Sequence, residues 1–509
     1  MVGRREAALS AGSAATVEDD GRAPSLGLIG HEYAALDPVP PKARIFGLAD
    51  QAAFWFAATC LPAAWFYGAL MAGAAGLPGA LLLIAVVSPL SLIPWAFLGW
   101  IAAKTGACST ALVRPAFGLR GSALPSVLYL VFGLGWAAVN VFLGAIGLSF
   151  VFAGWLGTPA FLSPGYEGPM AASIVAVAVL QGIVAAGGHR VLRLVQWAAT
   201  LALLGLGAVQ LWLVVAHWDP VALFAWRPPA EGLTTSIGPF TYTITVALLV
   251  DLLIAYNWTW EFIGDFSRFA RSPAAGTAGP FIGANAAQTW WFGVGALGVV
   301  FLATTTGGFA PEAADPSSLT TSLGLGWVAA AIIIAATVAT NAGNLTASAL
   351  AITNIAPRLR LGVRPLIGAV SIAVVPLALV PLVATGFQAT YILWLDVLGA
   401  IVVPLWVIVL VDFFWVRRGR YEPDLFRTAG GAYWYRRGWN RRAIGCLLAG
   451  TALYWLLAYG FPDVREVVPV ALPVGLGVAL AYAALMAGER EASGPVRKRL
   501  AELSEADRA

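Results

Sequence analysis

Five polar side chains fall on one face of the strongly apolar segment 326–348. They are spaced three, one, three and four residues apart, which aligns them along an α-helix. The stripe consists of Thr337, Thr340, Asn341, Asn344 and Ser348. Hydroxyl and amide oxygens can replace the water shell of a small cation or hydrogen-bond a polar solute. Such side chains also hold neighbouring helices together, but two carboxamides in one row favour a binding face.

A second candidate pair lies in the apolar segment 124–153, where Trp136 precedes Asn140 by four residues. This spacing puts an indole and a carboxamide side by side on one helix face. An indole can stack on a flat heteroaromatic solute, and a carboxamide can recognise the donor and acceptor edge of its ring. A tryptophan in an apolar helix is often packing material, so this segment alone leaves the two interpretations balanced.

The segment 241–265 carries Tyr256, Asn257 and Trp258 where a lipid-facing helix would carry Leu or Val. These residues predict that the segment turns a polar and aromatic side inward.

Carboxylates in apolar segments are costly and are often functional. Asp251, with Glu261 near it, is a candidate proton carrier or partner of a buried cation; a salt bridge to a basic residue elsewhere is the alternative. Asp265 precedes Arg268 at the end of the same segment, which suggests a gate-side or structural ion pair. Asp396 lies within another apolar segment.

Twelve apolar stretches position these residues, and each is long enough to cross a bilayer. Only 11% of the residues are charged and 59% are apolar. Because lipid offers no partner to a free backbone amide, each stretch is predicted to be a helix. The sequence thus predicts an all-α integral membrane protein with twelve transmembrane helices, called spans one to twelve. They cover approximately residues 52–74, 79–103, 124–153, 170–187, 194–217, 241–265, 280–306, 326–348, 365–386, 391–415, 443–460 and 467–487.

The basic residues avoid every second connection between these spans. Of the 30 Lys and Arg residues, only Arg227 and Arg465 fall in segments predicted to lie outside. We expect the protein to lie in the cell membrane. By the positive-inside rule, both of its termini then lie in the cytoplasm. We expect a cytoplasmic tail at 1–45, a transmembrane transporter domain at 46–490 and a second cytoplasmic tail at 491–509.

Two spans are predicted to be interrupted. Pro62 removes a backbone hydrogen bond in the middle of span one, and the polar run around Asn257 interrupts span six. Interruptions at matching positions are expected when spans one to five and six to ten form two inverted five-helix repeats. Spans eleven and twelve would then be two extra helices.

Signatures of other protein classes are missing from the sequence. There is no metalloprotease, phosphate-loop or nucleophile-elbow motif, so we do not expect an enzyme. The three cysteines have no metal-binding or disulfide spacing. Membrane topology accounts for the net charge of +4, so no nucleic-acid partner is expected. We expect no cofactor other than a coupling ion.

Several segments, in order along the chain, resemble the nucleobase–cation symporter-1 family, in its cytosine/purine permease branch. Residues 114–121 (Arg-Pro-Ala-Phe-Gly-Leu-Arg-Gly) and 135–144 resemble the loop and third span of that branch. Residues 340–354 resemble its eighth span and 265–269 the end of its sixth. Residues 412–421 and 431–443 resemble the end of its tenth span and the loop that follows. Each motif is modestly specific, whereas the ordered set is strong.

The resemblance implies two inverted repeats that alternate access to a central site. It implies that aromatic side chains of spans three and six hold the solute, together with amides of spans three and eight. By position these would be Trp136 as the stacking ring, Asn140 at the solute edge, Tyr256 or its rival Trp258 as the second ring, and Asn344 with Asn341 beside it.

The resemblance also implies a cation between spans one and eight. If the ion is Na⁺, its ligands would be backbone oxygens near Ala58 and Leu61 and the hydroxyls of Thr337 and Thr340. The chain departs from the branch in span one, where relatives often carry an amide at the position of Thr59 and Cys60.

The leading hypothesis is a secondary active transporter that imports a planar nucleobase-like solute by symport with Na⁺ or H⁺. Cytosine or a purine is favoured, and hydroxymethylpyrimidine, allantoin and hydantoins come next. The alternative is an amino-acid or amine transporter on the same architecture, in which Asp251 would pair with a substrate ammonium. The expected partners are the solute, the coupling cation and the lipid bilayer.

Overall fold

The computed structural model describes residues 38–187, 189–260, 262–307, 310–355, 363–384 and 386–489. Within these ranges nine helices are long and apolar enough to cross a membrane, and Val246–Trp258 and Ala471–Leu485 are shorter apolar helices. The nine are Pro62–Thr105, Ala123–Leu156, Glu167–Ala186, Leu194–Ala216, Pro273–Thr306, Gly326–Ala349, Arg364–Val383, Phe387–Val416 and Arg441–Gly460. The protein is therefore mainly helical, as predicted.

The longest of these helical runs, Pro62–Thr105, contains two spans. Its backbone leaves the helical conformation at Gly76, where φ is 66° and ψ is 175°. This left-handed φ suits glycine because glycine has no Cβ. Span one therefore comprises Leu48–Thr59 and the run from Pro62 to the break. Span two follows the break, through the π-helical turn Leu83–Val87 and Ser88–Thr105. Counted in this way, the helices are consistent with twelve spans.

The two predicted interruptions are confirmed. In span one the helix ends at Thr59 and restarts at Pro62, with an extended backbone at Leu61 between them. In span six the helix Val246–Trp258 ends and a short helix, Ile263–Ser267, follows. Both spans thus lose the regular helical hydrogen-bond pattern at their interruption.

Spans six and twelve begin later than predicted. Residues 234–243 form a β-hairpin, with strands Thr234–Ile237 and Phe240–Thr243, so span six begins at Val246 and not at 241. Gly238, with φ of 55°, makes the hairpin turn, and the Thr and Tyr residues around it favour strands. Span twelve begins at Ala471 and not at 467, and Val467 is instead the last residue of the separate short helix Pro462–Val467.

The remaining elements lie close to the predicted segments. Span five is the helix His189–Ala216, span eight is Gly326–Ile355, and span nine is Val363–Val383. Span ten, Phe387–Val411, continues into a π-helical turn at Asp412–Val416. Short connecting helices are Pro41–Ala43, Ser109–Leu112, Arg114–Phe117, Pro220–Ala225, Ala230–Leu233, Pro311–Ala313, Pro316–Ser322 and Pro423–Phe426.

Spans one to four and six to nine pack as two groups. Spans one, two, six and seven contact one another, and spans three, four, eight and nine form the second group. Spans three and eight pack along most of their length, as do spans one and seven. Each group consists of two consecutive spans and the two spans five positions later in the chain, which is consistent with an inverted five-helix repeat.

Part of the predicted N-terminal tail is described, and it packs on the bundle. Val39 is buried and its N–H donates to the carbonyl of Gly106 at 3.0 Å. The Arg44 guanidinium donates to the carbonyl of Ala103 at 2.8 Å. Residues 1–37 of that tail and all of the tail 491–509 lie outside the described residues.

Candidate functional site

Three asparagines form a carboxamide network where span three meets span eight. Asn341 is the hub: its side-chain oxygen accepts from Asn140 Nδ2 at 3.0 Å and from Asn344 Nδ2 at 3.3 Å. Its own Nδ2 donates to the carbonyl of Ala137 at 3.0 Å and to Gln181 Oε1 at 2.6 Å. The Asn341 carboxamide is therefore fully hydrogen-bonded. Asn341, together with Thr337 beside Gly144 and Ser348 beside Gly133, thus faces span three.

The network leaves one acceptor open. Asn140 is 2% exposed, yet its side-chain oxygen has no hydrogen-bond partner within the described part of the chain. A buried oxygen without a partner costs stability unless something else bonds to it. Asn344 is half-buried. The two carboxamides could therefore present an acceptor and donors to a bound molecule.

Aromatic rings lie next to this network. The indole of Trp136, one turn before Asn140, meets the Tyr256 ring edge to face, with 5.4 Å between the ring centroids. The ring of Tyr391 in span ten also lies near the indole, with 6.4 Å between the ring centroids. Tyr67 of span one stacks on Tyr256 at 5.5 Å with an interplanar angle of 19°. Spans one, three, six and ten thus converge at Trp136.

Two phenol groups in this wall lack partners. Tyr256 and Tyr391 are both fully buried, and neither hydroxyl has a hydrogen-bond partner in the described structure. A buried phenol normally finds a partner. Together with the open oxygen of Asn140, these hydroxyls give the region three buried polar atoms with unused hydrogen-bonding capacity.

The structure distinguishes the two candidate rings of span six. Tyr256 contacts Trp136, whereas the indole N–H of Trp258 donates to the carbonyl of Ser91 in span two at 2.7 Å. The carbonyl of Trp258 accepts from the indole of Trp406 at 2.9 Å. Trp258 therefore ties span six to spans two and ten, and Tyr256 is the ring that belongs to the candidate site.

The break in span one exposes a carbonyl. Pro62 has no N–H, so the carbonyl of Ala58 lacks the donor that a continuous helix would supply four residues later. The carbonyl of Leu61, in contrast, already accepts from the N–H groups of Ala64 and Trp65 at 3.1 and 3.5 Å. Of the two predicted backbone ligands of a cation, Ala58 has the freer oxygen.

The two predicted hydroxyl ligands also differ. Thr337 is buried, donates to the carbonyl of Ile333 in its own helix at 2.8 Å, and packs against Gly144 of span three. Thr340 is half-buried and lies one residue before Asn341. A joint cation site of Ala58, Thr337 and Thr340 stays a prediction.

Asp251 has an evident structural role. It is fully buried, and its two oxygens accept from the backbone N–H groups of Val470 and Ala471, each at 2.9 Å. These are the first amides of span twelve, so Asp251 caps that helix. The Asp251 carboxylate therefore has hydrogen-bond partners within the chain, and it needs neither a transported proton nor a substrate ammonium group as a partner. Glu261, the other predicted coupling residue, lies outside the described residues.

The predicted gate pair lies at the far end of span six. Arg268 is 5% exposed, its Nε donates to the backbone carbonyl of Asp265 at 3.3 Å, and its guanidinium lies 5.1 Å from the centre of the Phe269 ring. The adjoining backbone pairs with the start of span one, because Phe46 N–H donates to the Phe269 carbonyl at 3.0 Å. This end of span six is thus linked to span one.

A series of aromatic contacts connects the candidate site with that end of span six. Phe54 of span one stacks on Phe266 at 3.9 Å, and Trp55 stacks on Phe262 at 5.5 Å. Trp260 lies between this layer and the site, 6.3 Å from Tyr256 and 5.7 Å from Phe262. We call Phe54, Trp55, Phe262 and Phe266 the inner aromatic layer.

Three residues of the site were not predicted from the sequence: Tyr67, Gln181 and Tyr391. Gln181 is the only carboxamide in span four, and an isolated polar residue in an apolar span is a usable signal. Tyr391 lies four residues into span ten, where a tyrosine is typical of a membrane interface. Its position beside Trp136 depends on how spans three and ten pack.

The arrangement is suited to binding. Indole and phenol faces can enclose a planar ring, and the unpaired polar atoms can hydrogen-bond its edge. Within the described residues no group of three or more His, Cys, Asp or Glu residues could hold a metal ion.

The chain is similar to known membrane permeases. A family model described as permease for cytosine/purines, uracil, thiamine and allantoin matches residues 38–482. The chain is similar to the purine-uracil permease NCS1 of Arabidopsis thaliana, at 24% identity over 441 residues, which are 82% of this chain and 69% of that protein. It is also similar to the cytosine permease of Escherichia coli (strain K12), at 26% identity over 326 residues, 64% of this chain and 68% of that protein.

A solved structure has the same fold. Mhp1, a nucleobase-cation-symport-1 family transporter in a closed conformation with bromovinylhydantoin bound, superposes with a TM-score of 0.67 at 19% identity. The match covers 88% of this chain and 94% of that chain.

Proposed function

Because the chain belongs to the family of permeases for cytosine/purines, uracil, thiamine and allantoin, we propose that it imports a planar nucleobase-like solute together with a cation. Family membership confirms that the protein is a multi-pass membrane permease and not an enzyme. The observation that carries the proposal is the set of three unpaired, buried polar atoms beside Trp136: Asn140 Oδ1 and the hydroxyls of Tyr256 and Tyr391.

The solute is proposed to lie against the indole of Trp136. Trp136 is half-buried although its neighbours are large, so part of its surface is free to contact a ligand. Asn140 and Asn344 would recognise the edge of the ring, because a carboxamide offers both an acceptor and donors, as a nucleobase edge does. Cytosine or a purine is the first choice, followed by hydroxymethylpyrimidine, allantoin and hydantoins.

The alternative, an amino-acid or amine transporter, depends on a carboxylate that can face a substrate ammonium. Asp251 was the candidate, and its oxygens are occupied by the first amides of span twelve. No observation therefore favours this alternative over the nucleobase-like solute.

If the coupling cation is Na⁺, it is proposed to bind at the break of span one, at the carbonyl of Ala58 and the hydroxyl of Thr340. Either Na⁺ or H⁺ could drive uptake, since each charge that crosses contributes about 2.3 kcal/mol per 100 mV. Coupling requires that the cation binds more tightly to the form that also binds the solute. Opening toward the cytoplasm would separate the inner aromatic layer, which belongs to the broken spans one and six. Both termini are proposed to lie in the cytoplasm.

Uptake of labelled cytosine and adenine tests the proposal, in cells that lack their own base transporters. Cells expressing the chain should accumulate one of these bases, and Trp136→Ala or Asn344→Ala should reduce the accumulation at least tenfold. Trp212→Ala is the matched control, because Trp212 is 68% exposed on span five. Accumulation that survives the first two variants would refute the site, and absence of uptake for every base in a wider panel would refute the solute class.

The coupling ion is tested separately in vesicles. Replacing Na⁺ by choline should abolish accumulation if the ion is Na⁺, and a protonophore should abolish it if the ion is H⁺. Uptake that neither treatment changes would contradict symport.

A further inference from the structure

A groove lies between spans eleven and twelve, on the outside of the bundle and away from the candidate solute site. Its volume is about 540 Å³, within the range of pockets that hold organic ligands. Gly445, Ala449 and Gly477 contribute to its wall, and Arg441 and Arg442 lie at one end. The groove is therefore apolar along its length and strongly basic at its mouth.

The length of the groove corresponds to one leaflet of a bilayer. Its lining residues on span eleven extend from Arg441 to Leu453, which is about 18 Å of helix at about 1.5 Å per residue. Half of a bilayer's hydrocarbon core is about 15 Å thick. If span eleven crosses the bilayer from its first residue, the arginines would lie at the depth of lipid headgroups and the apolar wall at the depth of acyl chains.

The charge at the mouth is positive and accessible. Both arginines are exposed, and the other residues that line the groove are uncharged. Arg442 Nη1 lies 4.0 Å from the sulfur of Met486, a weak acceptor that leaves its other donors available. The two residues also begin span eleven, where the helix dipole favours an anion.

We propose that this groove binds one anionic diacyl phospholipid. The headgroup phosphate would bond to Arg441 and Arg442, and one acyl chain would lie along Gly445, Ala449 and Gly477. Basic pockets between membrane helices have the charge that anionic headgroups require. A second copy of the chain is less suited to the groove, because a symmetric dimer in one membrane would bring both arginine pairs to the same level.

Native mass spectrometry of the purified full-length protein tests the proposal with phosphatidylglycerol and phosphatidylcholine. We expect phosphatidylglycerol to bind more tightly. The double variant Arg441→Gln, Arg442→Gln should weaken that binding roughly ten- to thirtyfold, as expected for two lost cationic contacts. The control Arg436→Gln, Arg437→Gln removes the same charge from exposed residues of the preceding loop that do not line the groove, and it should bind like the parent protein.

A groove-filling variant tests the acyl-chain part of the site. A Cβ added at Gly445 would meet no other atom within 4 Å, so Gly445→Leu should fold and block the groove. Gly205→Leu in span five is the control, because Gly205 is exposed and equally free of neighbours. Gly445→Leu should reduce phosphatidylglycerol binding, whereas Gly205→Leu should not.

Three results would overturn the proposal. Equal binding of the two lipids would exclude recognition of the headgroup. Equal losses in the groove variants and their controls would indicate nonspecific adsorption. A lipid-independent dimer that Gly445→Leu dissociates would assign the groove to a second copy of the chain.

Discussion

Two buried regions of the molecule are built from similar residues but differ in how their polar atoms are used. The first, which we call the arginine–tyrosine cluster, consists of Asp396, Arg465, Tyr242, Tyr454 and Tyr459. Asp396 Oδ1 accepts from Tyr454 at 3.0 Å and from Arg465 at 2.5 Å, and Oδ2 accepts from Tyr459. The Tyr242 and Tyr459 hydroxyls lie 2.9 Å apart. Every tyrosine hydroxyl in the cluster is thus hydrogen-bonded.

The second region is the candidate site, where the Tyr256 and Tyr391 hydroxyls and Asn140 Oδ1 are buried without partners. A hydrogen-bonded polar group stabilises the fold, whereas a buried unpaired group destabilises it. The comparison of the two regions shows that burial of a polar residue does not by itself indicate function. The two regions differ in whether their tyrosine hydroxyls are hydrogen-bonded within the described residues, and the predictions below test whether that difference corresponds to a structural role and a binding role.

The largest expected effect is on the arginine–tyrosine cluster. Arg465→Ala leaves Asp396 as a buried charge without its ion-pair partner, which should lower the free energy of unfolding by about 3–5 kcal/mol. Thermal unfolding of the purified protein measures this loss. Arg227→Ala is the control, because Arg227 is the other basic residue predicted outside and is exposed; it should change stability by less than about 0.5 kcal/mol. Equal stabilities of the two variants would contradict the structural role.

Substitution of Asn341, the hub of the carboxamide network, should affect both stability and uptake. Some of its hydrogen-bond partners hold the fold together, and others face the candidate site. Asn341→Ala leaves Asn140 Nδ2, Gln181 Oε1 and the Ala137 carbonyl without this partner, which should cost about 2–4 kcal/mol of stability and also reduce uptake. Asn344→Ala removes only one long hydrogen bond of 3.3 Å, so it should reduce uptake with little change in stability. If both variants unfold at the same temperature, Asn341 is not the hub.

Features determined by short stretches of sequence were predictable. Pro62 marks the break in span one because it lacks an N–H, and helical periodicity aligned Asn341 with Asn344. The four-residue spacing of Trp136 and Asn140 likewise put both side chains on one face of span three, whereas their position against spans six and eight was expected only from the family resemblance. The predictions within single spans needed only local geometry and the apolar composition of each span.

Features determined by contacts between distant segments were not predictable. Arg465 was assigned to an outer connection, yet it is 8% exposed and pairs with Asp396, 69 residues earlier. Asp251 was a candidate proton carrier, and its partners are amides about 220 residues later. The order of the spans does not reveal which of them are neighbours, so such partners appear only in the folded structure.

Within the arginine–tyrosine cluster, the contribution of one hydroxyl, that of Tyr454, can be measured separately. Tyr454→Phe removes the hydrogen bond to Asp396 but keeps the ring, and it should lower stability by about 1–2 kcal/mol. Asp396 retains Arg465 and Tyr459 as partners, so the loss should be smaller than for Arg465→Ala. Thermal unfolding gives the stability, and the KM for uptake should stay at the parent value. A raised KM with unchanged stability would place Tyr454 in a solute pathway instead.

A Tyr→Phe substitution in the candidate site should change the KM for uptake and not the stability, which is the reverse of the result expected for Tyr454→Phe. Its effect should be the smallest of those predicted. Tyr256→Phe removes a buried hydroxyl that has no partner in the described structure, so stability should stay the same or rise slightly. If the hydroxyl bonds to the solute, the KM should rise about three- to tenfold, as for one neutral hydrogen bond of about 0.5–1.5 kcal/mol. Tyr454→Phe serves as the matched control, because it is the same chemical change at a hydroxyl that the fold already uses. A loss of stability in Tyr256→Phe at an unchanged KM would remove the distinction between the two regions, since Tyr256 would then be bonded within the protein.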